Sequence, residues 1–262
     1  MLIMGDDIGV IVGTGIGGQT DILLALLKGG YPAKSVGQMW PRDHYVHLDG
    51  RYVISGSPGS VHGNAFGEGG NILAGNGFLL VSDFAYKHQH IRMKLPENPN
   101  YAQIQEVIME EGRVYHPHVR IHVAPTGMFH GGRGHGHIDM FALLLPIRKL
   151  LLLDTYYGKG AGKAAEYDSI AEAEGLKLRR YDGSQDGVWY PLNSLVLSPN
   201  KNPTDCVVLD QEAKSLIKIL KDEGAQVIEA DMPQGSYPDG KINCQTNIHY
   251  LKDNPDEFMG AL

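Results

Sequence analysis

MFALLLPIRKLLLLD, residues 140 to 154, is the stretch whose reading decides the fold. As one apolar element it would be a candidate for crossing a membrane. Pro146, Arg148 and Lys149 interrupt it, and it falls short of the ~20 apolar residues such a helix needs. Read as FALLL and LLLLD, it is two strands joined at the Pro-Ile-Arg-Lys turn. A soluble protein built on short apolar strands follows, with no membrane partner.

The same alternation of strands and helices extends outward in both directions. Upstream, VRIHVAP (119–125) alternates as a strand. YAQIQEVIMEEG (101–112) reads as an amphipathic helix with Ile104, Val107 and Ile108 on one face. NILAGNGFLLVSD (71–83) reads as a hairpin about Gly75, Asn76 and Gly77. DIGVIVG (7–13) is a buried strand, and TDILLALLKGG (20–30) is a helix with Thr20 as N-cap and Gly29 after its end. SVGQMW (35–40) and RYVISGS (51–57) are extended pieces around a polar loop, PRDHYVHLDG. Downstream come a helix at KAAEYDSIAEAEG (163–175) and strands at LNSLVLS (192–198) and CVVLD (206–210). The helix QEAKSLIKILKDEG (211–224) then sets Ala213, Leu216, Ile217 and Leu220 on one face, and AQVIEAD (225–231) is a strand. The recurring unit is strand, strand, helix, strand, of about 40 to 60 residues, without identity between copies. That places the chain in the α/β class, as a single domain over residues 1–262.

Composition narrows the function classes. A net charge of −7 argues against nucleic acid, because phosphate binding needs clustered Lys and Arg. Two cysteines, Cys206 and Cys244, without CxxC spacing fit a reducing compartment. MLIMGDD lacks the basic start of a signal peptide, so the expectation is a cytoplasmic protein.

VGTGIGG matches GxGxxG at Gly13, Gly15 and Gly18. A dinucleotide site also wants an acid ~20 residues on, at the end of the next strand. AKSVGQMW offers neither Asp nor Glu, so the glycines read as a tight strand-to-helix turn.

Four quieter motifs follow in order. WPRD (40–43) sets Asp43 at the start of a polar loop. EGGN (68–71) puts Glu68 before two glycines that allow close backbone approach. GHGHID closes on His137 and Asp139, two apart, which on a strand share one face. GKINCQTN places Cys244 among Asn243, Gln245, Thr246 and Asn247, a polar setting for a reactive thiol. Cys206, in CVVLD, reads as a buried small hydrophobe.

Taken together, these motifs resemble the guanidine-modifying enzymes, the pentein or amidinotransferase superfamily, whose order is an Arg-Asp loop, Glu-Gly-Gly, His-x-Asp and a late Cys. The Glu-Gly-Gly and Gly-His-Ile-Asp pieces look closest to agmatine and arginine deiminases. The resemblance implies a five-bladed pseudosymmetric α/β propeller of ββαβ-like modules around a central active-site funnel. It also implies a cysteine-dependent hydrolase of a guanidino C–N bond acting through a thiouronium intermediate. By position, Cys244 is the nucleophile, His137 the proton carrier and Glu68 its partner. Asp43 and Asp139 clamp the guanidinium. Asn71, where arginine deiminases carry Asp, and Arg133, a candidate for a substrate carboxylate, complete the binding set. The implied partner is a small guanidino compound such as arginine, agmatine or a methylated arginine. Neither metal nor cofactor is required, and a homo-oligomer is left open.

Other readings remain at this stage. Amidino transfer to an amine would use the same scaffold. A non-enzymatic pentein-like interaction protein would have no need of the five polar residues. Nicotinamide-dependent redox rests on GTGIGG alone. A metal-dependent hydrolase could draw on His116, His118, His122, His130, His135 and His137 with Asp139, since imidazole and carboxylate suit zinc or manganese. That last reading leaves Cys244, Asp43 and Glu68 unexplained, and HPHVRIH (116–122) reads as a strand, so no HxxxH pattern lies on a helix.

Overall fold

The computed structural model describes residues 8–15, 17–48, 51–54, 66–126, 136–197, 204–233 and 241–251. Its strands are β1 (Ile8–Gly13), β2 (Ala33–Val36), β3 (Tyr45–Leu48), β4 (Arg51–Ile54), β5 (Ile72–Ala74), β6 (Phe78–Ser82), β7 (Arg120–Ala124), β8 (Ala142–Leu145), β9 (Leu150–Asp154), β10 (Lys177–Tyr181), β11 (Leu195–Leu197), β12 (Cys206–Asp210), β13 (Gln226–Ala230) and β14 (Thr246–Tyr250). Its helices are α1 (Gln19–Lys28), α2 (Gln89–Arg92), α3 (Tyr101–Tyr115), α4 (Glu166–Glu174) and α5 (Lys214–Asp222). Among the described residues no helix is long and apolar enough to cross a membrane.

The strands form four three-stranded sheets of one design: β14-β1-β2, β5-β6-β7, β8-β9-β10 and β11-β12-β13. In each, the middle strand pairs antiparallel with the first and parallel with the third. The parallel partner is reached through a helix, as a parallel crossover requires. The recurring strand, strand, helix, strand unit is therefore present. The antiparallel pair β3-β4 supplies the fifth module.

The apolar runs follow from where the middle strands sit. Leu151 and Leu153 pack on one side of β9 against Leu80, Ala124 and Ile170, while Leu150 and Leu152 pack on the other against Val207, Leu209 and Leu216. In β12, Val207 and Leu209 face that second core, and Cys206 and Val208 face Val10, Val12 and Leu26. Sheets buried on both faces need uninterrupted apolar strands, which is why LLLLD and CVVLD show no alternation. Successive cores thus join each sheet to the next. The ring closes where β14 meets β3, as Asn247 Nδ2 donates to the carbonyls of Pro41 and Tyr45 at 2.9 and 2.7 Å.

Several local expectations change. PRDHYVHLDG is not one loop: Pro41–Asp43 form a short 3-10 turn and Tyr45–Leu48 form β3. Tyr45 and Val46 are buried, and this tertiary burial outweighs the local polarity of Arg, Asp and His. Lys177–Tyr181 and Thr246–Tyr250 are strands for the same reason, paired with apolar β9 and β1. Thr20 does not cap α1: the helix starts at Gln19, with Gly18 at its N-cap in the left-handed region (φ 78°). α3 begins with a capping box between Asn100 and Gln103 and runs on to Tyr115. α5 is shorter than expected because the Asp210 carboxylate accepts from Glu212 N and holds residues 211–213 in a turn.

The GTGIGG turn serves packing. A Cβ on Gly13 would lie 2.5 and 2.6 Å from the carbonyl oxygens of Met39 and Gln38. Gly15 N donates to the Gln19 side chain. These contacts fit the strand-to-helix turn, not a dinucleotide cradle.

Candidate active site

Each module opens with a short turn before its first strand, and these turns meet at the centre. Asp43 lies in the turn before β3, Glu68 and Gly70 before β5, His137 and Asp139 before β8, Asn193 before β11, and Cys244 before β14. Residues from 43 to 244 are brought together because the modules repeat around a ring.

Glycines set the spacing. A Cβ on Gly69 would lie 1.9 Å from the Arg42 carbonyl, and one on Gly70 would lie 2.4 Å from His137 Nδ1. Close backbone approach is thus the role of the Gly-Gly pair, toward Arg42 and His137. Gly70 N donates to Asp43 Oδ1 at 3.2 Å. Gly136 is pressed against the Phe84 ring, and its carbonyl accepts from Ser82 Oγ at 2.5 Å, which orients the following His137.

His137 and Asp139 do not lie on a strand. His137 caps a 3-10 turn, Ile138–Met140, that contains Asp139. His137 Nε2 pairs with Glu68 Oε2 at 2.8 Å. Oxygen or nitrogen atoms of Asp43, Glu68 and His137 all lie within 4.8 Å of one another. Burial works against the imidazolium, but Glu68, Asp139 and Asp43 together outweigh it and raise His137 to about 9. Burial is also the main cause that lifts Asp43 to about 6, with His137 opposing it. The hydrogen bond from His137 keeps Glu68 below the ordinary carboxylate value.

Cys244 is buried, contrary to the setting its polar neighbours suggested. Burial does not separate it from Cys206, which is also buried; its partners do. Its Sγ lies 3.4 Å from Asp139 Oδ2 and 3.2 Å from Asn193 Nδ2. Met140 and Tyr190 pack beside it, with Trp40 and Tyr157 at the margin. Burial, then the charges of Asp139 and Asp43, push the thiol well above its ordinary value. Asp139 is almost wholly buried; Asn243 Nδ2 donates to Oδ2 at 2.9 Å, while Oδ1 has no hydrogen-bond partner among the described residues.

Asn71 sits in the turn that follows Glu68; its Nδ2 donates to the Phe66 carbonyl at 3.0 Å, and its Oδ1 has no hydrogen-bond partner among the described residues. Arg133, His130 and His135 lie outside the described residues. The histidine cluster of the metal reading is not assembled among the described residues. His122 pairs with Glu174, and His116 packs against Phe66. The one group there with metal-ligand spacing is Asp43, Glu68 and His137. Sequence reading missed Asn193, placed at the start of the LNSLVLS strand. A polar residue just before a module's first strand, the pattern of Asp43 and Asp139, was the available signal.

No family model matches the chain, and no curated protein matches it. Solved structures do. DDAH from Pseudomonas aeruginosa, complexed with citrulline, shows 12% identity over 92% of this chain and 98% of that one, with a TM-score of 0.57. A dimethylarginine dimethylaminohydrolase adduct with S-methyl-L-thiocitrulline gives 12%, 92%, 99% and 0.56. Another, with 4-chloro-2-hydroxymethylpyridine, gives 13%, 92%, 99% and 0.50. At this identity the likeness is one of fold, and it agrees with the repeated sheets and the closed ring: the chain has the five-bladed α/β-propeller, or pentein, fold.

Proposed function

We propose that the chain, as one domain over residues 1–262, is a cysteine-dependent hydrolase of a small guanidino compound such as arginine, agmatine or a methylated arginine. One observation carries this reading: a buried thiol touches a buried carboxylate whose other oxygen has no partner among the described residues, beside a Glu-paired histidine. A planar cation answers that arrangement, because its N–H groups satisfy carboxylates in fixed geometry.

Asp43 and Asp139 hold the guanidinium. Its positive charge offsets the two carboxylates that oppose ionisation of Cys244, and the thiol gives up its proton to solvent. The thiolate attacks the guanidino carbon and forms a C–S bond. The C–N bond then breaks, and the departing amine takes a proton from the His137 imidazolium. Neutral His137 next removes a proton from water, whose oxygen attacks the same carbon. The adduct's hydroxyl gives up its remaining proton to solvent as the C–S bond breaks, leaving a neutral ureido product, the Cys244 thiolate and a protonated His137. Glu68 holds His137 in its charged form between turnovers.

The test is turnover of arginine, agmatine and dimethylarginine, with ammonia, alkylamine and ureido product measured separately. Cys244→Ser is expected to abolish turnover, and a chelator to leave it intact. Loss on chelation with Cys244→Ser fully active would overturn the reading in favour of a metal at Asp43, Glu68 and His137.

A further inference from the structure

Asn193 stands at the fourth module's counterpart of Asp43 and Cys244: each lies two residues before the first strand of its module. It is 1% exposed and follows Tyr190, whose φ of 44° places an aromatic residue in the left-handed region. Such strain persists only where surrounding contacts impose it. Here the turn is closed by Asn193 N donating to the Tyr190 carbonyl at 2.9 Å.

The orientation of the Asn193 amide follows from its neighbours. Oδ1 accepts from Lys241 N at 2.8 Å and from Cys244 N at 3.3 Å. Two backbone donors can only face an oxygen, so the NH2 group must point the other way. There it reaches Cys244 Sγ at 3.2 Å, the Asp139 carbonyl at 3.2 Å and Met140 Sδ at 3.4 Å. Cys244 Sγ donates toward Asp139 Oδ2, and an amide N–H can only donate. The thiol proton therefore lies toward Asp139, and a sulfur lone pair faces Asn193.

We propose that Asn193 is a further catalytic residue: its amide N–H stabilises the Cys244 thiolate, while its carbonyl holds the 241–244 loop at the height of Asp139. This rests on the reading of Cys244 as nucleophile. The amide acts twice. Before attack it stabilises the sulfur anion that forms the C–S bond. When water attacks and that bond breaks, the same N–H receives the departing thiolate. No proton leaves Asn193 in either step; His137 carries those of the amine and the water. A buried anion with an aimed donor is strengthened most where water is excluded.

The test separates this role from simple loop support. Asn193→Asp keeps an oxygen for the Lys241 and Cys244 backbone donors but replaces the donor that faces sulfur. Iodoacetamide labelling of Cys244 is followed against pH at the peptide level, which distinguishes it from Cys206. The variant is expected to shift the labelling profile to higher pH, with alkylation at neutral pH about tenfold slower because the thiolate is the reactive form. With substrate, kcat falls by a similar factor or more and KM stays within a few fold. An unchanged labelling profile, or an unchanged kcat, overturns the proposal. If Asn193→Asp fails to fold, Asn193→Ser, which also removes the amide donor, is read by the same criteria. Failure of the underlying reading is a separate result: Cys244→Ser would keep turnover whatever Asn193 does to the labelling profile.

Discussion

His137 is governed by three carboxylates that act against its burial. Below its ordinary value of 6.5 it is charged in both folded and unfolded chains, and above that only the folded chain keeps the proton. The stability it contributes is thus fully present below 6.5 and is lost as pH rises through about 9. Under the proposed function Asp43 has the opposite consequence, because there it must be ionised to hold a cation and its value is lifted to about 6. Activity is expected to fall below about 6, as Asp43 takes a proton, and above about 9, as His137 loses its own. Glu68→Gln removes the charge that pairs with His137, so the basic limb of the pH–rate profile should move to lower pH. An unmoved limb would show that Glu68 does not set the histidine.

At the scale of the element, the short turns before the first strands matter more than the strands themselves. They present side chains at the centre while the strands disappear into the cores. Gly70→Ala would put a methyl 2.4 Å from His137 Nδ1. The turn or the imidazole must shift, which is expected to cost about 1–3 kcal/mol of stability as overpacking does. The Glu68–His137 pair should be lost with it. Activity assays beside urea unfolding would show kcat falling much further than stability. β9 makes the complementary case. Leu152 is fully buried between sheets, so Leu152→Ala should cost about 2–5 kcal/mol in urea unfolding. Any active fraction should keep its pH profile.

For the whole molecule, the pairing of β14 with β1 and its contact with the turn before β3 hold Cys244 in place. β14 pairs with residues 8–12 at the other end of the described chain, and Cys244 stands just before it. Asn247→Ala would leave two buried carbonyls, those of Pro41 and Tyr45, without that donor. The expected cost is about 1–3 kcal/mol in urea unfolding. Because Asp43 and Cys244 flank this contact, their alignment should loosen as well. A drop in kcat at temperatures where the variant remains folded would report that change.

Much of this was written locally. The apolar runs LLLLD and CVVLD, the amphipathic faces of α3 and α5, and the glycine turns fixed the α/β class, because period and turn chemistry are properties of neighbouring residues. The order of Arg-Asp, Glu-Gly-Gly, His-x-Asp and a late Cys identified the fold and named Asp43, Glu68, His137, Asp139 and Cys244 before any geometry was known. β3, β10 and β14 were not legible, since their polar residues become strands only by pairing with apolar partners. Nor was the burial of Cys244, whose sequence neighbours are polar. Cys244 and Asp139 are 105 residues apart along the chain and 3.4 Å apart in space. Burial and charge at the thiol depend on that separation being closed by the ring, and so does the place of Asn193 beside the sulfur. Those are tertiary decisions because they arise between modules, where no local pattern reaches.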